Sequence, residues 1–315
     1  MEKKDLKIVF MGTPEFAVET LRTLVEGGYQ VVAVVTQPDK PVGRHHEQLQ
    51  APPVKQYALE QGIPVMQSVK MKDPQFLEQL ASYHADLQVV VAFRMLPEAV
   101  WAMPRWGTFN VHASLLPQYR GAAPIQWAII HGDKESGVTT FFLDKDMDTG
   151  RIIMQKRQEI PDDANAEWLY DRLMVLGAEA ACETINLLVA SDGQIATTPQ
   201  PDEASQELRP APKIFKDTCR VCWEQPVKKV YDFIRGMAPH PGAWTLLKSG
   251  GGEQVLKIYQ SVKTTRPAVG EAGTVYVEGR DLFMNCADGL LQLTEVQPAG
   301  KRRMKASDFL NGWRP

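Results

Sequence analysis

Apolar runs of strand length alternate with helical stretches through the first half of this chain, and that alternation narrows its possible folds more than any other feature. Residues 7–11 and 30–35 read as buried strands, and 64–66, 87–92, 108–112 and 138–143 as further ones. After the first run, Pro14 suits a first helical turn, Phe16, Val18, Leu21, Leu24 and Val25 recur at helical spacing, and Gly27-Gly28 ends the helix. More helices are expected over 54–61 and 74–83. Strands that are apolar throughout and separated by helices imply a mostly parallel sheet covered on both faces. A charged strand near 151–159 and a long helix rich in Ala and Leu over 165–190 complete this α/β domain, assigned to residues 1–190.

The texture then changes. Residues 191–208, rich in Ser, Asp, Gln and Pro, read as a linker. Beyond it, short β-type runs at 244–247, 255–259, 273–277, 282–285 and 290–296 are separated at close intervals by Gly, Asp and Pro, the pattern of a small β-barrel or sandwich over 209–315. A chain of 315 residues has the length for two domains. The charge divides at the same place. Residues 1–208 carry 18 basic and 28 acidic side chains, a net −10, whereas the remainder carries 17 and 10, a net +7. The basic half suits a polyanionic partner, with a solvated surface of mixed charge as the plain alternative.

Other classes fall away. The N-terminus has no signal-peptide apolar core, and no apolar run approaches the ~20 residues of a membrane span, so no membrane partner is expected. Four cysteines are too few for a disulfide scaffold, and the cytoplasm is the expected setting. Cys219 and Cys222 form a lone CxxC with no second pair to complete a zinc site, so packing or surface roles are expected and no metal.

A parallel α/β sheet binds ligands beyond the carboxyl ends of its strands. The first such turn, Gly12-Thr13-Pro14-Glu15-Phe16, lacks the GxGxxG of dinucleotide sites, and Glu15 opposes a phosphate there. No GxxxxGK[ST] occurs. The strand at 108–112 is more informative, because a period of two puts Asn110 and His112 on the same side. An uncharged donor beside one that can carry charge suits stabilisation of an oxyanion, although a histidine near a strand end is often structural. Ser114 has no GxSxG elbow around it. The loop 144–150 has acids at alternate positions, but Thr149 stands where a calcium loop needs Gly and Gln155 where it needs Glu. An acid there is better read as orienting an imidazole and moving a proton.

Asn110-Val111-His112, followed by Ser114-Leu115-Leu116-Pro117, Arg120-Gly121 and Asp148-Thr149-Gly150, resembles the signature of the folate-dependent formyltransferases that use 10-formyltetrahydrofolate. The opening GTPEFA, the QPDKPVGR loop, RGAAPIQ and the late VQPAGKRRM resemble the branch of that family acting on methionyl-initiator tRNA, and the resemblance spans nearly the whole chain. It implies a Rossmann-like catalytic domain, a linker and a barrel-like basic domain that helps hold the tRNA. Asn110, His112 and Asp148 are then catalytic, Ser114, Leu115, Leu116 and Pro117 shape the folate site, and Lys40, Arg44, Lys213, Lys301, Arg302 and Arg303 meet tRNA. The product is N-formylmethionyl-tRNA for translation initiation, formed without a metal by a monomer. Two segments depart from the pattern. His45-His46-Glu47-Gln48 stands where many members have Gly and lysines, and Phe93-Arg94 where a Tyr-Gly pair is common.

Overall fold

Apolar strands buried on both faces need helices on both sides, and the first half of the chain supplies them in turn. In the computed structural model, which describes residues 2–42, 48–201, 207–249 and 252–313, β1 (Lys7–Gly12), α1 (Glu15–Glu26) and β2 (Gln30–Thr36) open the chain. A short hairpin, β3 (Lys40–Val42) and β4 (Gln48–Gln50), precedes α2 (Pro53–Glu60), β5 (Val65–Gln67), α3 (Pro74–Ser82), β6 (Leu87–Val91), α4 (Glu98–Trp101) and β7 (Thr108–His112). Then come α5 (Pro124–Ile130), β8 (Glu135–Phe142), β9 (Ile152–Glu159) and α6 (Ala166–Ala190).

The seven-stranded sheet has the order β5-β2-β1-β6-β7-β8-β9. From β5 to β7 every neighbour is parallel, whereas β8 runs antiparallel to β7. The chain builds outward from β1 to β5 and then returns to β6 on the other side of β1. Such a reversal opens a crevice beyond the strand ends. β6 is buried along its whole length, as the unbroken apolar run at 87–91 requires. By length and composition α6 is apolar enough to cross a membrane, yet Leu169, Leu173, Ala181, Ile185 and Leu188 are fully buried in the fold, and Thr184 bonds Thr140 of β8 at 2.8 Å.

In the second half, α7 (Val227–Met237) precedes β10 (Ala243–Ser249), β11 (Gly252–Lys263), β12 (Val275–Glu278), β13 (Asp281–Asn285), β14 (Leu290–Pro298), β15 (Met304–Lys305) and α8 (Ala306–Phe309). The strands form one antiparallel sheet in the order β10-β11-β14-β13-β12, with β15 added beside β14. Long β11 pairs with β10 on one side and β14 on the other, and register shifts between Ile258 and Ser261 interrupt its second pairing. Bulges of this kind bend a strand, and the sheet curls, barrel-like, around Leu256, Ile258, Leu282, Met284, Leu291 and Val296.

α7 has no counterpart in the expectations for this half. Val227, Val230, Tyr231, Ile234 and Met237 give it a buried stripe, but the same helix buries Asp232 and Arg235 as a pair with Nε at 2.8 Å from Oδ1. The stripe itself keeps helical spacing, at i, i+3, i+4, i+7 and i+10, so the period was present in the sequence beneath the charged letters. Contacts divide the chain into two compact units, residues 1–121, 137–158 and 171–210 in one and 122–136, 159–170 and 211–315 in the other. α5 therefore belongs with the basic half, where Ile130 joins the core beneath α7 and the Trp127 indole donates to Pro212 O at 2.8 Å.

Candidate active site

Strand period fixes the first part of the site. Asn110 and His112 share one side of β7, opposite Phe141 and Thr139 of β8. Asn110 is half-buried and His112 buried. The His112 ring stands edge-on to Phe141, centroids 6.5 Å apart, and Nε2 lies 2.8 Å from Tyr119 O. A carbonyl only accepts, so Nε2 carries a proton. Nδ1 then faces Asp148, whose Oδ2 is 3.8 Å away. That separation exceeds a hydrogen bond. It is an electrostatic contact between two largely buried groups, at its strongest when the imidazole is charged.

Asp148 reaches this place through an unusual backbone. Its φ is +57°, a conformation L-residues other than Asn and Asp rarely adopt. Two neighbours hold it there. The Gly121 N–H donates to Asp148 Oδ2 at 2.9 Å, and Gln200 Nε2 donates to Asp148 O at 2.9 Å and to Gly150 O at 2.8 Å. Gly150 is required by close approach, since a Cβ there would lie 1.7 Å from Phe142 O.

Between His112 and Tyr119 the chain makes a tightly bonded loop. Ser114 is fully buried and its hydroxyl donates to Gln118 O at 2.6 Å, so it fastens the loop and is not presented as a nucleophile. Thr139 Oγ1 donates to Ser114 O at 2.7 Å and accepts from Leu116 N at 3.0 Å, while Gln155 Nε2 donates to Leu116 O at 2.8 Å. Leu116 is buried and precedes a cis bond to Pro117. Leu115, Pro117 and Gln118 are half-buried, and their side chains face outward in part. Past the end of β6, Ala92 and Phe93 lead to Arg94, whose guanidinium donates to Val69 O at 2.8 Å and also to Ser68 O.

The basic residues are placed differently. Lys40 is exposed on β3, beside Asp39, whose carboxyl the Gln67 amide and the Lys55 ammonium hold below its usual range. Arg44 lies outside the described residues. In the second unit Lys213 is exposed with its Nζ 5.6 Å from the centre of the exposed Phe215 ring. Lys301 and Arg302 are exposed, without ion-pair partners among the described residues. Arg303 is committed, its Nε 2.6 Å and Nη2 2.7 Å from the Glu295 carboxylate and its guanidinium 4.3 Å above Tyr259.

Three contributors escaped the sequence reading: the Tyr119 carbonyl, the Gly121 amide and Gln200. Backbone groups leave no letter to read, and Gln200 sits in a stretch with neither helical nor strand period. Among the described residues no three His, Cys, Asp or Glu side chains gather to hold a metal ion. Cys219 and Cys222 are both free thiols, the first buried and the second exposed.

Residues 6–185 match the family described as formyl transferase, and residues 213–314 match formyl transferase, C-terminal domain. The chain is 55% identical over 318 residues to methionyl-tRNA formyltransferase of Parabacteroides distasonis, covering 100% of this chain and 98% of that one. This chain belongs to the methionyl-tRNA formyltransferase family. A second member of the family, from Bacteroides thetaiotaomicron, is 54% identical over 317 residues, covering 100% of this chain and 98% of its own. Solved structures share the fold at lower identity. WlaRD, a sugar 3N-formyl transferase crystallised with dTDP and 5-N-formyl-THF, superposes with a TM-score of 0.66 at 18% identity, covering 94% of this chain and 99% of that one. HypX from Aquifex aeolicus, in complex with tetrahydrofolic acid, gives 0.62 at 19% identity over 96% of this chain, which spans about half (46%) of HypX.

Proposed function

We infer that the protein transfers a formyl group from 10-formyltetrahydrofolate to the α-amine of methionyl-initiator tRNA, releasing tetrahydrofolate and N-formylmethionyl-tRNA. The observation that carries this reading is the pairing of buried His112 with Asp148 at the end of β7, in a chain of this family. Asn110 and His112 donate to the formyl oxygen as the neutral amine attacks its carbon and negative charge develops there. Because Nε2 is engaged with Tyr119 O, Nδ1 is the ring atom left for the reaction. Asp148 supports the charged ring and helps carry the proton lost by the amine to the leaving folate nitrogen. A C–N bond to the amine forms and the one to the folate nitrogen breaks, so no oxidant or reductant is needed.

The loop 114–117 supports the folate, with Leu115 and Pro117 offering surface and Ser114 and Leu116 keeping the loop in shape. Lys40, Arg44, Lys213, Lys301 and Arg302 meet phosphates of the tRNA, while Arg303 acts through Glu295 and Tyr259. The reading is of a cytoplasmic monomer with no membrane partner. Formyl transfer from 10-formyltetrahydrofolate is measured with charged initiator tRNA, charged elongator tRNA and an amino-sugar nucleotide as acceptors. Turnover of the initiator tRNA far above the other two is expected, and preferential transfer to the sugar amine would overturn the reading.

A further inference from the structure

Gln200 lies ten residues past the end of α6, in the segment leading toward the basic half, yet all of its amide is spent on the catalytic loops. Nε2 donates to the carbonyls of Asp148 and Gly150, at 2.9 and 2.8 Å. Oε1 accepts from Arg120 Nε at 3.1 Å and Nη2 at 2.8 Å. Arg120 precedes Gly121, whose N–H holds the Asp148 carboxylate. The bonds therefore close a ring that runs from Gln200 through the Asp148 backbone and carboxylate to Gly121, Arg120 and back. The segment itself is fixed to the sheet edge. Ile152 and Thr198 exchange two backbone bonds of 2.8 Å, and Arg151 donates to the Thr197 hydroxyl at 2.6 Å and carbonyl at 2.8 Å. Further along, Arg209 O accepts from Tyr119 N at 2.7 Å, and Tyr119 O is the partner of His112 Nε2. The same segment thus braces both sides of the imidazole.

We propose that Gln200 is a positioning residue for formyl transfer, fixing the Asp148 loop in its left-handed conformation so that the carboxylate stands against His112. The inference rests on the function given above. Its chemistry is specific: only a primary amide of this length donates twice to carbonyls on one side and accepts from a guanidinium on the other. Glutamate keeps the acceptor toward Arg120 but sets a second acceptor against two carbonyls, and methionine keeps the volume without any of the bonds.

The full-length chain carrying Gln200→Met or Gln200→Glu tests it. Both variants are expected to lower kcat about 10- to 100-fold, with KM for each substrate within about threefold and Tm nearly unchanged, because a misplaced catalytic group costs rate rather than binding. Combined with Asp148→Asn, Gln200→Met should add less than about threefold, since the two changes act through one group. Hydrogen exchange at the Gly121 amide should quicken in both single variants. This last measurement needs no turnover. Wild-type enzyme inactive with tRNA would therefore sink the functional reading alone, whereas unchanged exchange at Gly121 overturns the positioning role whatever the activity. A kcat within twofold of wild type, or losses that multiply fully in the double variant, would overturn it as well.

Discussion

Replacing Asp148 by Asn removes one negative charge and little else. An Asn oxygen can still accept from the Gly121 N–H, and the bonds of Gln200 go to backbone carbonyls that the change leaves in place. What is lost is the attraction between the carboxylate and a charged imidazole 3.8 Å away. Two unit charges at that distance attract by about 4 kcal/mol at an effective dielectric of ~20, against about 1 kcal/mol in bulk water. The two side chains are 7% and 13% exposed, which puts the pair nearer the first figure. Because Nε2 is held by Tyr119 O, His112 donates to the oxyanion from Nδ1 only as a charged ring, and about 10² to 10³ in rate depends on this energy. Asp148→Ala should cost about tenfold more, because it also strands the Gly121 N–H. Single-turnover formyl transfer at saturating formyl donor and methionyl-tRNA reads the chemical step alone. Asp148→Asn within threefold of wild type would show that the carboxylate's charge is not what His112 needs.

Three further outcomes are expected. Gly150→Ala places a Cβ 1.7 Å from Phe142 O, a clash that moves the Asp148 loop by the order of 1 Å and should cost roughly 10²-fold in kcat; near-normal kcat would mean the loop absorbs the methyl without shifting Asp148. Lys301→Ala and Arg302→Ala should each weaken tRNA binding and reduce the log-log salt slope by about one unit, whereas Arg303→Ala, whose charge is taken up by Glu295, should lower Tm and leave the slope alone; equal slope changes for all three would refute the distinction. Hydrogen bonds from Lys263 and Lys134 hold the Asp162 carboxyl well below the usual carboxylate range. A depressed pKa stabilises the fold above the ordinary aspartate value and is lost as pH falls through the folded one. Asp162 is 49% exposed, so screening leaves Asp162→Asn a cost of about 0.2–1 kcal/mol at pH 7, read as a lower Tm that converges with wild type below about pH 4; a gap that widens in acid would contradict the assignment.

The alternation of apolar strands and helices in residues 7–112 was enough to specify a mostly parallel sheet, because a strand buried on both faces leaves a continuous run and a helix leaves a 3.6-residue one. The same period set Asn110 and His112 on one side of β7, and the close spacing of turns in the second half announced its curled antiparallel sheet. Tertiary structure alone decided the rest. Ser114 and Leu116 point inward, although the sequence could not say which way an aperiodic loop turns its side chains. α5 packs with the basic half because Ile130 finds its apolar neighbours there, and on α7 Asp232 and Arg235 are buried because they pair with one another in the fold. The nearness of Asp148 to His112 depends on an amide 52 residues further along the chain and on a guanidinium 80 residues before that amide. Periodicity reports what a residue's own element does with its faces. Bonds between loops far apart in sequence carry no such period, since their geometry exists only after the strands beneath them have packed.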